Sequence, residues 1–480
     1  MKDYDSTLII YNVRLVDSRI DSPGVIVVNG QTIKGIFLGE VKDSKTALKV
    51  ASAVLLDSEL EVKPTLYNGN GLTLMPSFVD MHVHFRYPGQ THKEDLDTGL
   101  QAAIAGGYGT VVLMPNTTPV VSSKKKALEI IEETKKRNLA KVFQTISITK
   151  DFKGEDTTEI LSLNNSEFPV ISEDGRDVGS SAVMLDAMNK AAKAGVIVSC
   201  HCEDVDLAQA AKPYRLRALS FMKKYNIPAG KICKDYHDVP DSVNFEIDGC
   251  LTAANQILAL AEDVATERNI EIAKLAGCHI HICHCSTAAS IDSVRRAKKC
   301  ILEEKTKNGF ECTVEVTPHH IGLVGTESPY IRALVNPPLR SEEDRFALIN
   351  AIKDGTVDVI ATDHAPHTQE DKDAGCPGFT GLETSFAICN TVLVNREGLS
   401  LSKLSALMSD NPARILKLNS GRLEVGFDAN FVLVDPEEIW TVDSSSFLSK
   451  GKSTPVEGRS LIGRVKATFY DGNQVFALDK

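Results

Sequence analysis

Residues 74–86 read Leu-Met-Pro-Ser-Phe-Val-Asp-Met-His-Val-His-Phe-Arg, a short apolar run ending in His82, His84 and Arg86. An extended strand sends alternate side chains to one face, so His82 and His84 can converge on one ion. That pair alone decides little, because neutral imidazole also serves in buried polar networks. The arrangement recurs downstream. Asp174 follows Phe168-Pro-Val-Ile-Ser-Glu173, His201 follows Gly195-Val-Ile-Val-Ser-Cys200, His284 follows Cys278-His-Ile-His-Ile-Cys283, and Asp363 follows Val357-Asp-Val-Ile-Ala-Thr362. Ligand-type residues just after short apolar segments are what a parallel α/β barrel gathers at the C-terminal ends of its strands.

Eight such segments, at 78–83, 110–114, 141–147, 169–172, 196–200, 278–283, 312–316 and 357–362, alternate with stretches rich in helix formers, including 121–140, 181–194 and 342–353. This pattern predicts an α/β fold, a (β/α)8 TIM-like barrel, with an open doubly wound sheet as the alternative. Both chain ends have a different style. LIIYNVRLVD, GVIVVNG and TIKGIFLGE near the start, and ANFVLVD, IGRVKATFYDG and NQVFALD near the finish, are short β-rich pieces separated by turns. The expected division is a barrel over 78–420 and one small β-rich domain assembled from 1–77 and 421–480. The interval 202–277 is too long for a single return helix: ahead of a helical stretch at 253–277, its Pro, Gly and charged residues suggest surface loops or a short added helix.

Composition limits the function. The 480 residues carry 53 Lys+Arg against 64 Asp+Glu, a formal charge of −11, with 42% hydrophobic residues. That balance fits a globular protein with a sizeable core and gives no general affinity for nucleic acid. No apolar stretch reaches membrane-spanning length and the acidic start is unlike a secretory leader, so no membrane association and a cytoplasmic location are expected. Eleven cysteines, none before Cys200, are an odd set that a disulfide framework explains poorly. In Cys200-His-Cys202 and Cys283-His-Cys285 the cysteines of an extended strand point away from the histidine, which reads as buried thiols. Gly451-Lys-Ser-Thr454 lacks the earlier glycine of a phosphate-binding loop.

The residues that remain carry chemistry. His82, His84, His201, His284, Asp174 and Asp363 suit zinc or another divalent metal. One assignment sets His82, His84 and Asp363 at one ion and His201 and His284 at a second, with Asp174 bridging and a shared hydroxide as nucleophile. Asp363 would accept a proton during attack and return it to a leaving nitrogen. Glu173 rivals Asp174 as the bridge, and Asp363 could instead cap a turn. Arg86 could pair with a substrate carboxylate, Asn116 and Asn336 could read amide or carboxyl oxygens, and His367 could help hold the same anion. His319 or His320 could buttress the pocket, and the glycine-containing stretch 378–384 could fold around a ring.

MPSFVDMHVHFRYPG (75–89), VVLMPNTTP (111–119), EDG (173–175), HCED (201–204), HICHCST (281–287), EVTPHH (315–320), NPPLR (336–340) and IATDHAPH (360–367) together resemble the dihydroorotases, within the cyclic amidohydrolases. The resemblance covers the barrel and its surrounding ends. It implies reversible hydrolysis of the cyclic amide of L-dihydroorotate to N-carbamoyl-L-aspartate in pyrimidine biosynthesis. It also implies that His82, His84, Asp174, His201, His284 and Asp363 hold two zinc ions per chain, other divalent metals being possible. Arg86, Asn116 and His367 would then grip the carboxylate of a small anionic substrate, while Asn336 and the glycine-rich loop position its ring. Asp174 takes the place that a modified lysine fills in some relatives. A homodimer or higher assembly and a carbamoyltransferase partner are further implications. The alternatives are a hydantoinase-like or allantoinase-like enzyme and a noncatalytic assembly homologue, whose expected mark, loss of metal residues, is missing. Cys202, Cys285 and the 205–260 region depart from the family pattern.

Overall fold

The computed structural model describes residues 7–55, 64–227, 239–306, 309–325 and 334–478. The eight expected strands are present: β1 (Phe78–Val83), β2 (Tyr108–Leu113), β3 (Lys141–Gln144, resumed over Ile146–Ser147), β4 (Val170–Ser172), β5 (Ile197–Cys200), β6 (His279–Ile282), β7 (Glu311–Val316) and β8 (Val359–Ile360). Each pairs in parallel with the next. The ring closes where Val83 bridges His364 in parallel and the His84 N–H donates to the His364 carbonyl at 2.8 Å. This is a (β/α)8 barrel rather than an open sheet.

Local chemistry sets the return helices. The helix Ser181–Ala194 starts at Ser180, whose side chain accepts from the Val183 N–H, and stops at Gly195 with φ 69°. Helix Glu342–Asp354 begins at Ser341, carries Glu342, Glu343 and Asp344 in its first turn, and ends at Gly355. Inside the ring, Val79, Met81, Val112, Met114, Phe143, Val170, Ile197, Val359 and Ala361 form one cluster drawn from strands around the barrel. Val79 and Met81 belong to that interior although His82 and His84 also face inward. The register of β1 against β2 shifts between Asp80 and Val83, and such an irregularity re-aims side chains.

A second sheet joins the chain ends. Its order is Asn473–Ala477, Ser460–Tyr470, Phe431–Thr441, Thr73–Pro76, Thr7–Val16, Asp21–Asn29, Thr32–Leu38, with Thr65–Asn68 also pairing Thr7–Val16. The two ends meet where Leu433 pairs with Leu74 and Phe431 with Pro76. Pro76 and Ser77 then lead straight into β1, so this sheet fixes the entry of the first barrel strand. Among the described residues, no helix is long and apolar enough to cross a membrane.

The interval 202–277 contains the helix expected over 253–277, but its earlier part differs from the loops or short helix expected. It holds α1 (Val205–Lys224) and the 36-residue α2 (Asp241–Ala276), packed along one another. Ala211 of α1 meets Ala254 and Leu258 of α2 in a small-residue seam, and the far end of α2 buries Ala265, Ile270 and Ala273 in the main core. Tertiary burial of this kind overrides the breakers Pro213 and Gly249. Residues 228–238, part of the same expected excursion, lie outside the described residues.

A buried ion pair ties α2 to the barrel. Arg340 Nη2 stands 3.0 Å from Glu262 Oε2, Arg340 Nε donates to Ser286 Oγ at 2.9 Å, and Nη1 donates to Asn255 Oδ1 at 2.5 Å. Glu262 also accepts from the Ser286 and Thr287 N–H groups. Burial opposes its charge, yet Arg340 and these donors hold its pKa below the usual carboxylate range. Removing one partner strands the other, so Arg340→Met should cost about 3–5 kcal/mol in denaturant unfolding, and Arg340→Met with Glu262→Met should recover much of that loss. Equal stability of Arg340→Met and the parent would contradict this role.

Candidate metal and substrate site

The candidate residues converge at one end of the barrel because each follows the C-terminal end of a strand: His82 and His84 at β1, Asn116 after β2, Asp174 after β4, His201 after β5, His284 after β6 and Asp363 after β8. His82 Nε2 lies 3.1 Å from Asp174 Oδ1 and 3.7 Å from Asp363 Oδ1. His84 Nε2 lies 3.1 Å from Asp363 Oδ1 and 3.4 Å from Asp174 Oδ2. His201 Nδ1 is 2.9 Å from His284 Nε2 and 3.4 Å from Asp174 Oδ1, and His284 Nε2 is 3.7 Å from Asp174 Oδ1. All six side chains are buried. His82, His84 and Asp363 form one group able to hold an ion, and His82, Asp174 and His284 form another.

A cation fits this set. Donor atoms about 2.0–2.1 Å from a tetrahedral zinc stand about 3.3 Å from each other, in the range of these separations. His82 Nε2 and Asp174 Oδ1 are buried without a hydrogen-bond partner among the described residues, a costly arrangement unless something else satisfies them. The ring tautomers agree. His82 Nδ1 lies 2.8 Å from the Glu315 carboxylate, which can only accept, so Nδ1 carries the proton and Nε2 presents a lone pair. Asn116 Nδ2 donates to Asp174 Oδ2 at 3.0 Å, turning its Oδ1 toward His84 Nδ1 at 2.9 Å and freeing His84 Nε2 in the same way.

Electrostatics point the same way. Burial disfavours charge on His82, but Asp174 and Glu315 outweigh it and raise the pKa well above the imidazole range. His201 is pushed up to about 10, burial again being overcome by Asp174 and Glu203. Burial also opposes ionisation of Asp174 and Asp363, yet the surrounding imidazoles hold both below the usual carboxylate range. The cluster is a place where positive charge is stabilised. Cys283 lies close to His82 and Glu315, but burial and the Glu315 charge push its thiol up to about 12.

Backbone strain accompanies the cluster. Arg86, His284 and Asp363 take φ of 55°, 30° and 47°, a region unfavourable for residues with a side chain. No helix begins at Asp363, so it is not an N-cap. Glu173 turns away from the cluster and accepts from the Thr149 N–H and hydroxyl.

A cavity of about 250 Å³ opens beside the cluster, lined by Arg86, Lys93, Asn116, Asn336, His367 and Gly378 among others. Arg86 Nη2 lies 3.0 Å from His367 Nε2, and Lys93 Nζ lies 3.4 Å from His367 Nδ1. Burial, then Arg86, Lys372 and Lys93, hold the His367 pKa far below its usual value, so this end combines a neutral imidazole with cations. Gly378 has φ 134°, and a Cβ there would stand 2.6 Å from the Ala365 carbonyl oxygen, so only glycine fits this wall. His320 bonds Thr317 and the Pro337 carbonyl, bracing the chain just after Asn336. His279 and His281 instead meet at Thr313 Oγ1.

Several residues of this region escape sequence reasoning. Glu315 contacts His82, His281 and the His284 N–H from within β7; it opens the EVTPHH stretch and is a carboxylate inside the apolar run Val314-Glu-Val316, but neither signal assigns it this role. Lys93, Lys372 and Arg215 carry no motif-like signal.

The chain belongs to the amidohydrolase family, whose model matches residues 73–475. Its relatives within that family include dihydroorotases. That of Clostridium botulinum is 37% identical over 466 residues, covering 97% of this chain and 98% of the relative. That of Brevibacillus brevis is 37% identical over 414 residues, covering 85% and 88%. Among solved structures, the L-hydantoinase of Arthrobacter aurescens superposes with a TM-score of 0.77 at 23% identity, covering 99% of this chain and 98% of the other, a likeness of fold.

Glu315 fixes the His82 tautomer, so Glu315→Gln should weaken divalent metal binding about 10–100-fold in chelator competition. Unchanged affinity would remove Glu315 from the site.

Proposed function

We propose that the protein is a dihydroorotase, interconverting L-dihydroorotate and N-carbamoyl-L-aspartate. The observation that carries this reading is one cavity that joins a His/Asp cluster to a cationic end built from Arg86, Lys93 and His367. A ring hydrolase for neutral substrates has no need of that end, whereas a ring bearing a carboxylate does. The full-length likeness to dihydroorotases supports the same choice.

In this reading His82, His84, His201, His284, Asp174 and Asp363 hold two divalent ions, zinc suiting the nitrogen and oxygen donors best. Bound there, a divalent cation lowers the pKa of water and polarises a carbonyl. Arg86 and His367, with Asn116, receive the substrate carboxylate, and Asn336 and the wall at Gly378 orient the ring. Asp363 takes the proton of the attacking water on its carboxylate and delivers it to the departing ring nitrogen. Run backwards, the same proton transfers close the ring. The barrel of 78–420 carries all of this, and the small domain of 1–77 and 421–480, through the strands described within it, acts as its support.

Metal-replete protein should interconvert the two compounds and lose turnover on chelation. With metal restored, Asp363→Asn should lose about 10²–10⁴-fold in kcat, and Arg86→Gln should raise KM for dihydroorotate far more than it affects unsubstituted hydantoin. Turnover of hydantoin or allantoin but not of dihydroorotate would replace this reading with another cyclic-amide hydrolase.

A further inference from the structure

The inserted pair α1 and α2 has no part in the chemistry above, yet α1 reaches the cavity wall. Arg215, midway along α1, donates through Nη1 to Asn336 Oδ1 at 2.5 Å and through Nη2 to the Val335 carbonyl at 2.8 Å. The neighbouring residue is held from the other side. Lys372 Nζ, fully buried, donates to the Leu334 carbonyl at 2.9 Å, and also to the carbonyls of Cys376 at 2.9 Å and Gly378 at 2.7 Å. The Gly378 N–H donates to the same Leu334 carbonyl. Two cations from different parts of the chain thus hold three consecutive residues, 334 to 336, and join them to the glycine wall opposite.

This grip has a chemical consequence. A guanidinium has donors only, so whichever end of the Asn336 amide faces Arg215 must be its oxygen. The end left for a ligand in the cavity is then Nδ2, a donor. An unconstrained Asn could present either end. Fixed by Arg215, the Nδ2 end can recognise a carbonyl oxygen of a cyclic amide and cannot accept from a ring N–H. The fork of Arg215 also spans the side chain and backbone of adjacent residues, a two-point hold that sets amide rotation as well as loop position.

We propose that Arg215 is a positioning residue for ring recognition, through which the inserted helix α1 makes Asn336 a dedicated hydrogen-bond donor to a carbonyl oxygen of the substrate. This rests on the reading of the cavity as the cyclic-amide site. An unpaired or misoriented polar group facing a bound ring discriminates strongly, because its hydrogen bond is lost on both sides.

The test is a double-mutant cycle of Arg215→Met and Asn336→Ala on metal-replete protein, read as kcat/KM for dihydroorotate and for N-carbamoyl-L-aspartate. Arg215→Met is expected to lose about tenfold or more, mainly through KM, with metal content and melting temperature unchanged. Arg215→Lys, which keeps the charge and one donor at a time, should recover part of that loss. Because Arg215 acts through Asn336, the double variant should be no worse than Asn336→Ala alone. Losses that multiply in the double variant, or a fully active Arg215→Met, would overturn the proposal. Should Arg215→Met not fold, the cycle is run with Arg215→Lys, and wild-type activity in that variant would overturn it equally. An inactive wild type with metal restored would instead sink the functional reading on which the proposal rests.

Discussion

One buried carboxylate organises the barrel mouth. Asp174 has 3% of its surface exposed, accepts from Asn116 through one oxygen, and faces His82, His201 and His284 with the other. Burying such a charge without a counter-charge is prohibitive. The residues around it are therefore held in a fixed relation by strand ends and not by loops free to move. Glu315 and Asn116 orient the two histidines of β1, and the parallel ring sets the spacing. The strain at Arg86, His284 and Asp363 sits in the loops that leave those strands, beside this same cluster.

Much of this was legible in the sequence. The eight strands stand out because parallel strands covered on both faces are continuous apolar runs of Val and Ile, and their ends are marked by ligand-type residues. All eight are where the apolar segments put them, with ends differing by a few residues. That His82 and His84 share one face was readable from their spacing, although the structure reaches that arrangement with a register shift which the alternation rule does not contain. That His82 and not only His84 approaches Asp174 depends on this shift.

The unreadable parts share a physical character: they depend on partners distant in sequence. The first turns of α2, ahead of the readable helical stretch at 253–277, run through Asn244, Asp248 and Gly249, residues that weaken local helical preference, and their stability comes from burial against α1 and the barrel. Glu315 is one acidic residue in a strand, and its meaning appears only when His82, 233 positions away, lies against it. Lys372 and Arg215 look like surface cations in the sequence. Their role emerges because residues 334 to 336 run between them.

In the proposed reading, metal ions balance the charge of Asp174 and its neighbours. Anomalous diffraction at the zinc edge, on crystals grown from catalytically active protein, tests it most directly. Two peaks per chain are expected within the cluster of His82, His84, Asp174, His201, His284 and Asp363. Crystals of active protein with no anomalous peak there, at the zinc edge or that of any other bound transition metal, would contradict it.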